Sequence, residues 1–407
     1  MLISSQTFLP YYLFTFFPPV GAMFRTGLPE RGTRHGRTRV LFYFSGYIIL
    51  FSLFLTRVMP ALQQHSNARI LVTGVNGYIG SWIARTLLEQ GATVKGTVRS
   101  EKKGKYIKQL FASYGDRFQL VEVPDIMADG AFDKAVLDVD GVIHTASPVV
   151  LAAVDPEEVI GPAVKGTLGL LTSVAKFGGQ VQRVVVTSSC TAVFHFPSEP
   201  KVFSEADWNE QAVKEIEEKG SNASFAAKYC ASKTLAEKAA WDFFDKHKTT
   251  LPWDLSVIIP PNVHGPFINE VANPQSLGYA TNEWYNIVVC GSMSPEDMAT
   301  QGHCWVDVRD LAEAHIRILF TEAAGGERII VSAGPYVWQD WLDAANSLSP
   351  SPIPSHHLPM GVPGAGVGAS YLMSYRTEKQ ATILGINFRT KAETARDVLT
   401  DFERLGW

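Results

Sequence analysis

Between residues 69 and 189 the chain alternates two kinds of hydrophobic spacing. Short apolar runs at Arg69–Thr73, Thr93–Val98, Phe118–Val123, Gly141–Thr145 and Val181–Ser189 have the length and β-branched content of strands in a buried parallel sheet. After the first run, Ile79, Trp82, Ile83, Leu87 and Leu88 recur at helical spacing, and Gly91 ends the pattern as a C-terminal cap. Further on, Leu235, Ala236, Ala239 and Ala240 indicate a buried helix. Strands and helices in this alternation predict an α/β fold: a Rossmann-type, doubly wound parallel sheet with helices on both faces, and a smaller mixed C-terminal lobe. The segments Thr191–Ala226, Asn262–His303 and Val331 to about Asn387 follow the expected sheet edges and should cover them. The division predicted is a main unit over 59–407, with a dinucleotide part at about 68–260 and a lobe mainly from 262–303 and 331–387.

The first strand runs straight into Gly74-Val75-Asn76-Gly77-Tyr78-Ile79-Gly80, and the helix follows. Gly74 permits the tight turn, Gly77 a close approach of a diphosphate to bare backbone, and Gly80 close packing of helix on sheet, with the anion at the helix N-terminus. In that context the glycines predict a dinucleotide site rather than an incidental turn. After the second strand an NAD site usually has a carboxylate for the ribose; here stand Arg99-Ser100-Glu101-Lys102-Lys103. Arg99 suits a 2′-phosphate and Lys103 adds a second charge, so NADP(H) is the expected cofactor; the other reading is a solvated basic helix start. Asp125, in Pro124-Asp125-Ile126 after the third strand, could accept from an adenine amino group or simply cap a turn. The fourth strand ends in Thr145-Ala146-Ser147, small enough for the chain to pass close to a diphosphate. His144, inside an apolar strand, reads as a satisfied core histidine.

The strand at 181–189 ends in Thr187-Ser188-Ser189, and forty residues after Ser189 comes Tyr229-Cys230-Ala231-Ser232-Lys233. Four positions apart on a helix, Tyr229 and Lys233 share a face. A free phenol titrates at about 10, and a nearby ammonium favours the phenolate, so Lys233 is expected to tune Tyr229. Ser189 would hold a substrate carbonyl, Tyr229 would protonate the developing alkoxide, and Lys233 would reach the nicotinamide ribose.

The remaining composition narrows the field. With 46% hydrophobic and 19% charged residues the chain can fill a large core, and 36 basic against 40 acidic residues give no reason to expect nucleic acid. Cys190, Cys230, Cys290 and Cys304 show neither CxxC pairing nor a nearby histidine at ligand spacing, so no metal site or disulfide framework is expected and a reducing, cytoplasmic setting fits. Residues 1–58 read differently. Val40–Thr56 carries no charge, and at 17 residues it sits at the lower edge of a bilayer span. Arg25, Arg31, Arg34, Arg37 and Arg39 precede it, which would keep that side cytoplasmic and send the rest across, away from a cytosolic cofactor. A membrane anchor at 40–56 and an upstream extension, with translation starting at Met59, are both open.

From about Ala68 to Trp407 the sequence resembles the extended short-chain dehydrogenases/reductases, in the branch of dihydroflavonol and methylglyoxal reductases and related carbonyl reductases, within the NAD-dependent epimerase/dehydratase family. The resemblance rests on Thr73–Gly80, Arg99–Lys103, His144–Pro148, Thr187–Ser189, Tyr229–Lys233 with Thr234-Leu235-Ala236-Glu237, Pro260–Pro266 and Trp305–Ala312. It implies Ser189, Tyr229 and Lys233 as the catalytic set, and Pro260 and Val263 in a loop along the nicotinamide carboxamide. Lys165 stands where many such enzymes have a relay asparagine, and it is expected to face solvent. The implied activity is NADPH-dependent reduction of an aldehyde or ketone. Phe194, Phe196, Trp208, Phe225, Phe267, Trp284, Tyr285, Tyr336 and Trp338 suggest an apolar or aromatic substrate, although each taken singly suits a lobe core equally. The alternatives are a sterol dehydrogenase, a sugar-nucleotide epimerase, which Arg99 argues against, and a non-catalytic NADP-binding redox sensor.

Overall fold

A computed structural model describes residues 61–62, 67–147 and 153–407. The extension 1–58 and its apolar run at 40–56 lie outside the described residues.

The first half of the fold contains β1 (Arg69–Thr73), α1 (Tyr78–Glu89), β2 (Thr93–Val98), α2 (Glu101–Leu110), β3 (Phe118–Glu122), β4 (Gly141–His144), α3 (Glu157–Phe177) and β5 (Arg183–Thr187). Then come β6 (Lys201–Phe203), α4 (Glu210–Lys219), α5 (Phe225–His247), β7 (Asp254–Ile259), β8 (Asn262–His264), α6 (Tyr279–Trp284) and α7 (Pro295–Thr300). The remainder is β9 (Gly302–Asp307), α8 (Val308–Phe320), β10 (Arg328–Ile330), β11 (Gly334–Val337), α9 (Trp338–Asn346), β12 (Met373–Tyr375) and α10 (Lys391–Leu405).

Seven strands form one parallel sheet in the order β10-β7-β5-β4-β1-β2-β3. The order reverses direction between β1 and β4, which makes their carboxyl ends the topological switch point where a ligand crevice opens. Side-chain alternation along β1 divides the core. Ile70 and Val72 join Ile83 and Leu87 of α1 and Leu311 and Ile316 of α8 on one face. Leu71 joins Leu170 and Val174 of α3 on the other. The doubly wound expectation is therefore borne out, with helices packed on both faces because both faces of the strands are apolar.

Among the described residues there are two further small sheets, β11-β9-β8 and β12-β6. Around the first, Trp284, Trp305, Tyr336, Trp338, Trp341 and Phe402 form a buried aromatic cluster. Beneath the main sheet, Arg183 is fully buried and meets Asp254 in two hydrogen bonds of 2.6 and 2.8 Å, while its remaining N–H groups reach the carbonyls of Ile318 and Thr321. The outer strand β10 is covered by the 204–209 segment. Arg328 lies 3.6 Å over the Trp208 ring, donates to the carbonyl of Glu205, and pairs at 2.6 Å with Glu237 of α5. The backbone N–H of Ile330 is taken by the Glu205 carboxylate at 3.1 Å.

Candidate active site

The cradle at the switch point is shaped by what glycine lacks. Gly74 has φ +64°, and its N–H donates to Thr97 Oγ1 at 3.1 Å. A Cβ on Gly80 would lie 2.5 Å from the Gly74 carbonyl oxygen, so only glycine lets α1 start this close to the turn. The N–H groups of the first turn of α1 have no partner inside the helix and give it a partial positive charge. Ser100 caps α2 by accepting from Lys103 N, which places Arg99 at the end of β2 and Lys103 in the first turn of α2. Both are exposed, and neither makes an ion pair among the described residues. A cleft of about 580 Å³ is lined by Gly74, Gly77, Arg99, Lys103, Asp125, Ile126, Thr145, Ala146 and Ser147.

This donor set fits a phosphorylated dinucleotide: bare backbone and a helix N-terminus for the diphosphate, and two unpaired cations for a further phosphate. Some anticipated residues serve the site only indirectly. The Tyr78 hydroxyl donates to the carbonyl of Gly265 at 2.8 Å and Ile79 packs on the core, and neither lines the cleft. One oxygen of Asp125 accepts from Met127 N at 2.9 Å, the turn-capping role, while the residue still lines the cleft. Pro260 accepts from Cys190 N at 2.8 Å, and Val263 pairs with Val306 in the lobe sheet.

At the ends of β4 and β5 the polar groups are sorted. Thr73 Oγ1 meets His144 Nδ1 at 2.8 Å and accepts from the N–H groups of Thr145 and Ala146, both at 3.1 Å. Burial, with the nearby Lys233 charge, pushes His144 down to about 3, so it is neutral and structural. The two neighbouring serines take different partners. Ser188 donates to the buried Glu237 at 2.5 Å, whereas Ser189 Oγ accepts from Thr191 N at 3.2 Å and lies beside the Tyr229 phenol. Lys233 Nζ stands 5.9 Å from the centre of the Tyr229 ring.

The electrostatics differ from the expected tuning of the phenol by Lys233. Burial pushes Tyr229 up to about 12, and the neighbouring Ser189 opposes this rise. Burial also takes Lys233 down to about 8, which leaves it mostly an ammonium at neutral pH. At neutral pH Tyr229 therefore carries its proton. Lys165 is exposed on α3.

Several residues escaped the sequence reading. Asn76, Thr97, Met127 and Pro162 also line the cleft. Gly96 lies under Val75, where any side chain would collide; a glycine inside a strand pattern was the available signal. Glu237 stands in the resembling run Thr234–Glu237, but that run does not reveal its seat between Ser188 and Arg328, because these partners come from distant elements. A second pocket of about 220 Å³ lies between Phe196, His303, Tyr336, Trp338 and Leu372. The Asn262 side chain donates to the Tyr336 hydroxyl at 3.4 Å.

Comparison with known proteins agrees with this construction. Residues 70–334 match the NAD dependent epimerase/dehydratase family, and the chain belongs to that family. It is 33% identical over 339 residues to NADPH-dependent methylglyoxal reductase Gre2 of Saccharomyces cerevisiae, covering 81% of this chain and 96% of that one. It is 32% identical over 351 residues to the ketoreductase azaE of Aspergillus niger, covering 82% and 96%. The solved yeast Gre2 complex with NADPH superposes with a TM-score of 0.72 at 31% identity, covering 83% of this chain and 99% of that one. Among the described residues no helix is long and apolar enough to cross a membrane.

Proposed function

We propose that this chain reduces an aldehyde or ketone to an alcohol, with Tyr229 as proton donor, Ser189 as the group that holds the carbonyl, and Lys233 as the group that positions the cofactor ribose. The reductase assignment and the NADP(H) preference expected from Arg99 are borne out by relatives named as NADPH-dependent reductases. NADPH, when bound, supplies hydride to the carbonyl carbon. The chain's own residues do the rest. Arg99 and Lys103 hold the extra phosphate, Gly74, Gly77 and the start of α1 the diphosphate, and Thr145 to Ser147 with Pro260 and Val263 the nicotinamide side.

The observation that carries this reading is the sorting of hydroxyls. Ser188 is committed to Glu237, which leaves Ser189 as the serine of the pair beside Tyr229. A phenol held at about 12 is in the form that reduction consumes, since the developing alkoxide needs a proton. Residues 59–407 carry this activity, on a small apolar or aromatic carbonyl compound, and the cytoplasm is the compartment that supplies its cofactor. The test is consumption of NADPH with a panel of carbonyl compounds. Tyr229→Phe should lower turnover by at least about 10²-fold while cofactor binding, followed by fluorescence titration, persists. Undiminished turnover in that variant would remove the mechanism.

A further inference from the structure

Tyr229, Lys233 and Glu237 stand on successive turns of one face of α5. The first two bear the chemistry proposed above, and the third has no part in it. Glu237 is 1% exposed, and a carboxylate that deep in a fold needs partners. Its Oε1 accepts from Arg328 Nε at 2.6 Å and from Trp241 Nε1 at 3.4 Å. Its Oε2 accepts from the Ser188 hydroxyl at 2.5 Å. Ser188, Lys233 and Glu237 also line one small cavity of about 20 Å³, so this bond lies beside Lys233 rather than in a remote part of the core.

The contacts at the end of β5 show what that bond controls. Within its own turn Ser189 is held by Thr191 N, which donates to its Oγ at 3.2 Å. Backbone bonds tie the flanking residues toward β7: Ser188 N donates to the carbonyl of Ile258 at 2.9 Å, and Cys190 N to that of Pro260 at 2.8 Å. Side chains tie the strand end to two helices, Thr187 Oγ1 meeting His315 Nε2 of α8 at 2.8 Å and Ser188 meeting Glu237 of α5. Tyr229 is carried by α5 and Ser189 by the strand end, so their spacing depends on how that end is joined to the helix. We infer that Glu237 is a positioning residue for the reduction: by holding Ser188 it sets the neighbouring Ser189 against Tyr229, so that one carbonyl oxygen can meet both hydroxyls. Arg328 holds the carboxylate from the outer strand, which carries the link from β10 through α5 to the serine pair. Catalytic groups must be kept to within a fraction of an ångström, and a small displacement imposed from behind lowers turnover steeply.

This inference rests on the reductase reading, and the experiment separates the two. Turnover of 4-nitrobenzaldehyde and of 2,3-butanedione is followed with NADPH and expressed per bound NADPH, so that unfolded molecules do not count. Ser188→Ala should lower kcat by about tenfold and leave the dissociation constant for NADPH within about twofold. In a Ser189→Ala background the same substitution should lower kcat by less than about twofold, because a residue that acts through Ser189 has nothing left to position. Glu237→Leu should repeat this pattern. Glu237→Gln can turn its amide toward Ser188 Oγ and keep its oxygen toward Arg328, so it should recover kcat to within about threefold of the native chain. Both Glu237 variants should unfold at lower urea, since each leaves the Arg328 charge unpaired, so stability and turnover part company only if the bond to Ser188 is what matters. Native kcat in Ser188→Ala, an equal loss with and without Ser189, or a glutamine variant as slow as the leucine one overturns the inference and leaves the reductase reading standing. No turnover of either probe by the native chain overturns both. If the Glu237 variants do not fold, the Ser188→Ala comparison in the two backgrounds decides alone.

Discussion

The dinucleotide cradle and the aromatic lobe solve the burial of polar groups in opposite ways. In the cradle one hydroxyl, Thr73 Oγ1, serves three partners, and the buried His144 ring is held by it. In the lobe His264 is fully buried among Tyr336, Trp338 and Trp341, with its nearest ring centre 5.2 Å away, and neither of its nitrogens has a partner among the described residues. The indole nitrogens of Trp284 and Trp341 are likewise unpartnered. The cradle gains definition from backbone and hydrogen bonds, and the lobe gains stability from apolar area, so substitutions should read out differently in the two.

The largest expected effect divides them by observable. Trp341→Ala removes a fully buried ring and should cost about 3–5 kcal/mol in chemical denaturation. It should shift the dissociation constant for NADPH by less than about twofold, since additivity holds for distant sites. Gly80→Ala is a far smaller change in volume, yet its Cβ meets the Gly74 carbonyl oxygen, and NADPH binding should weaken by about tenfold or more. A comparable loss of cofactor binding in both variants would break the distinction.

The histidines sharpen it. His144→Leu should destabilise by about 1–3 kcal/mol because Thr73 loses a buried partner, whereas His264→Leu should be neutral or stabilising because a buried orphan is removed. Burial holds both imidazoles at about 3 in the fold, against an ordinary 6.5. The unfolded chain therefore takes up protons first as the medium acidifies, and stability should fall as pH drops from about 6.5 toward 3. Urea midpoints measured across that range check the sign, and His264→Leu should flatten the slope. The smallest effect concerns selectivity: Arg99→Ala should raise the KM for NADPH by about tenfold and leave NADH unchanged. An equal change for both cofactors would take the 2′-phosphate away from Arg99.

Where local rules govern, the sequence was a good guide. The strands around Gly74, the cap at Gly91 and the Tyr229–Lys233 face follow from short-range sterics and helix spacing, and each lies where those rules put it. The strand foreseen at 181–189 is shorter, Arg183–Thr187, because the chain turns at both ends of it. What escaped depends on distant neighbours. Ser188 and Ser189 are indistinguishable by pattern, and only the fold brings Glu237 to one and Tyr229 to the other. Burial dominates at Tyr229, with Lys233 Nζ 5.9 Å from the centre of its ring, and no spacing reports how dry a site is. Of the lobe aromatics, Phe267, Trp284, Tyr336 and Trp338 proved to be core, while Phe196 is exposed at the pocket.

The cover over β10 has a consequence for life at high concentration. An open parallel sheet ends in a strand whose unpaired amides invite another chain to add itself there. Here the Glu205 carboxylate occupies the amide of Ile330, and the Arg328 guanidinium, clasped over Trp208, closes the approach. The 204–209 segment thus acts as a guard against edge-to-edge self-association, so loosening it would expose a sticky margin in a crowded cell.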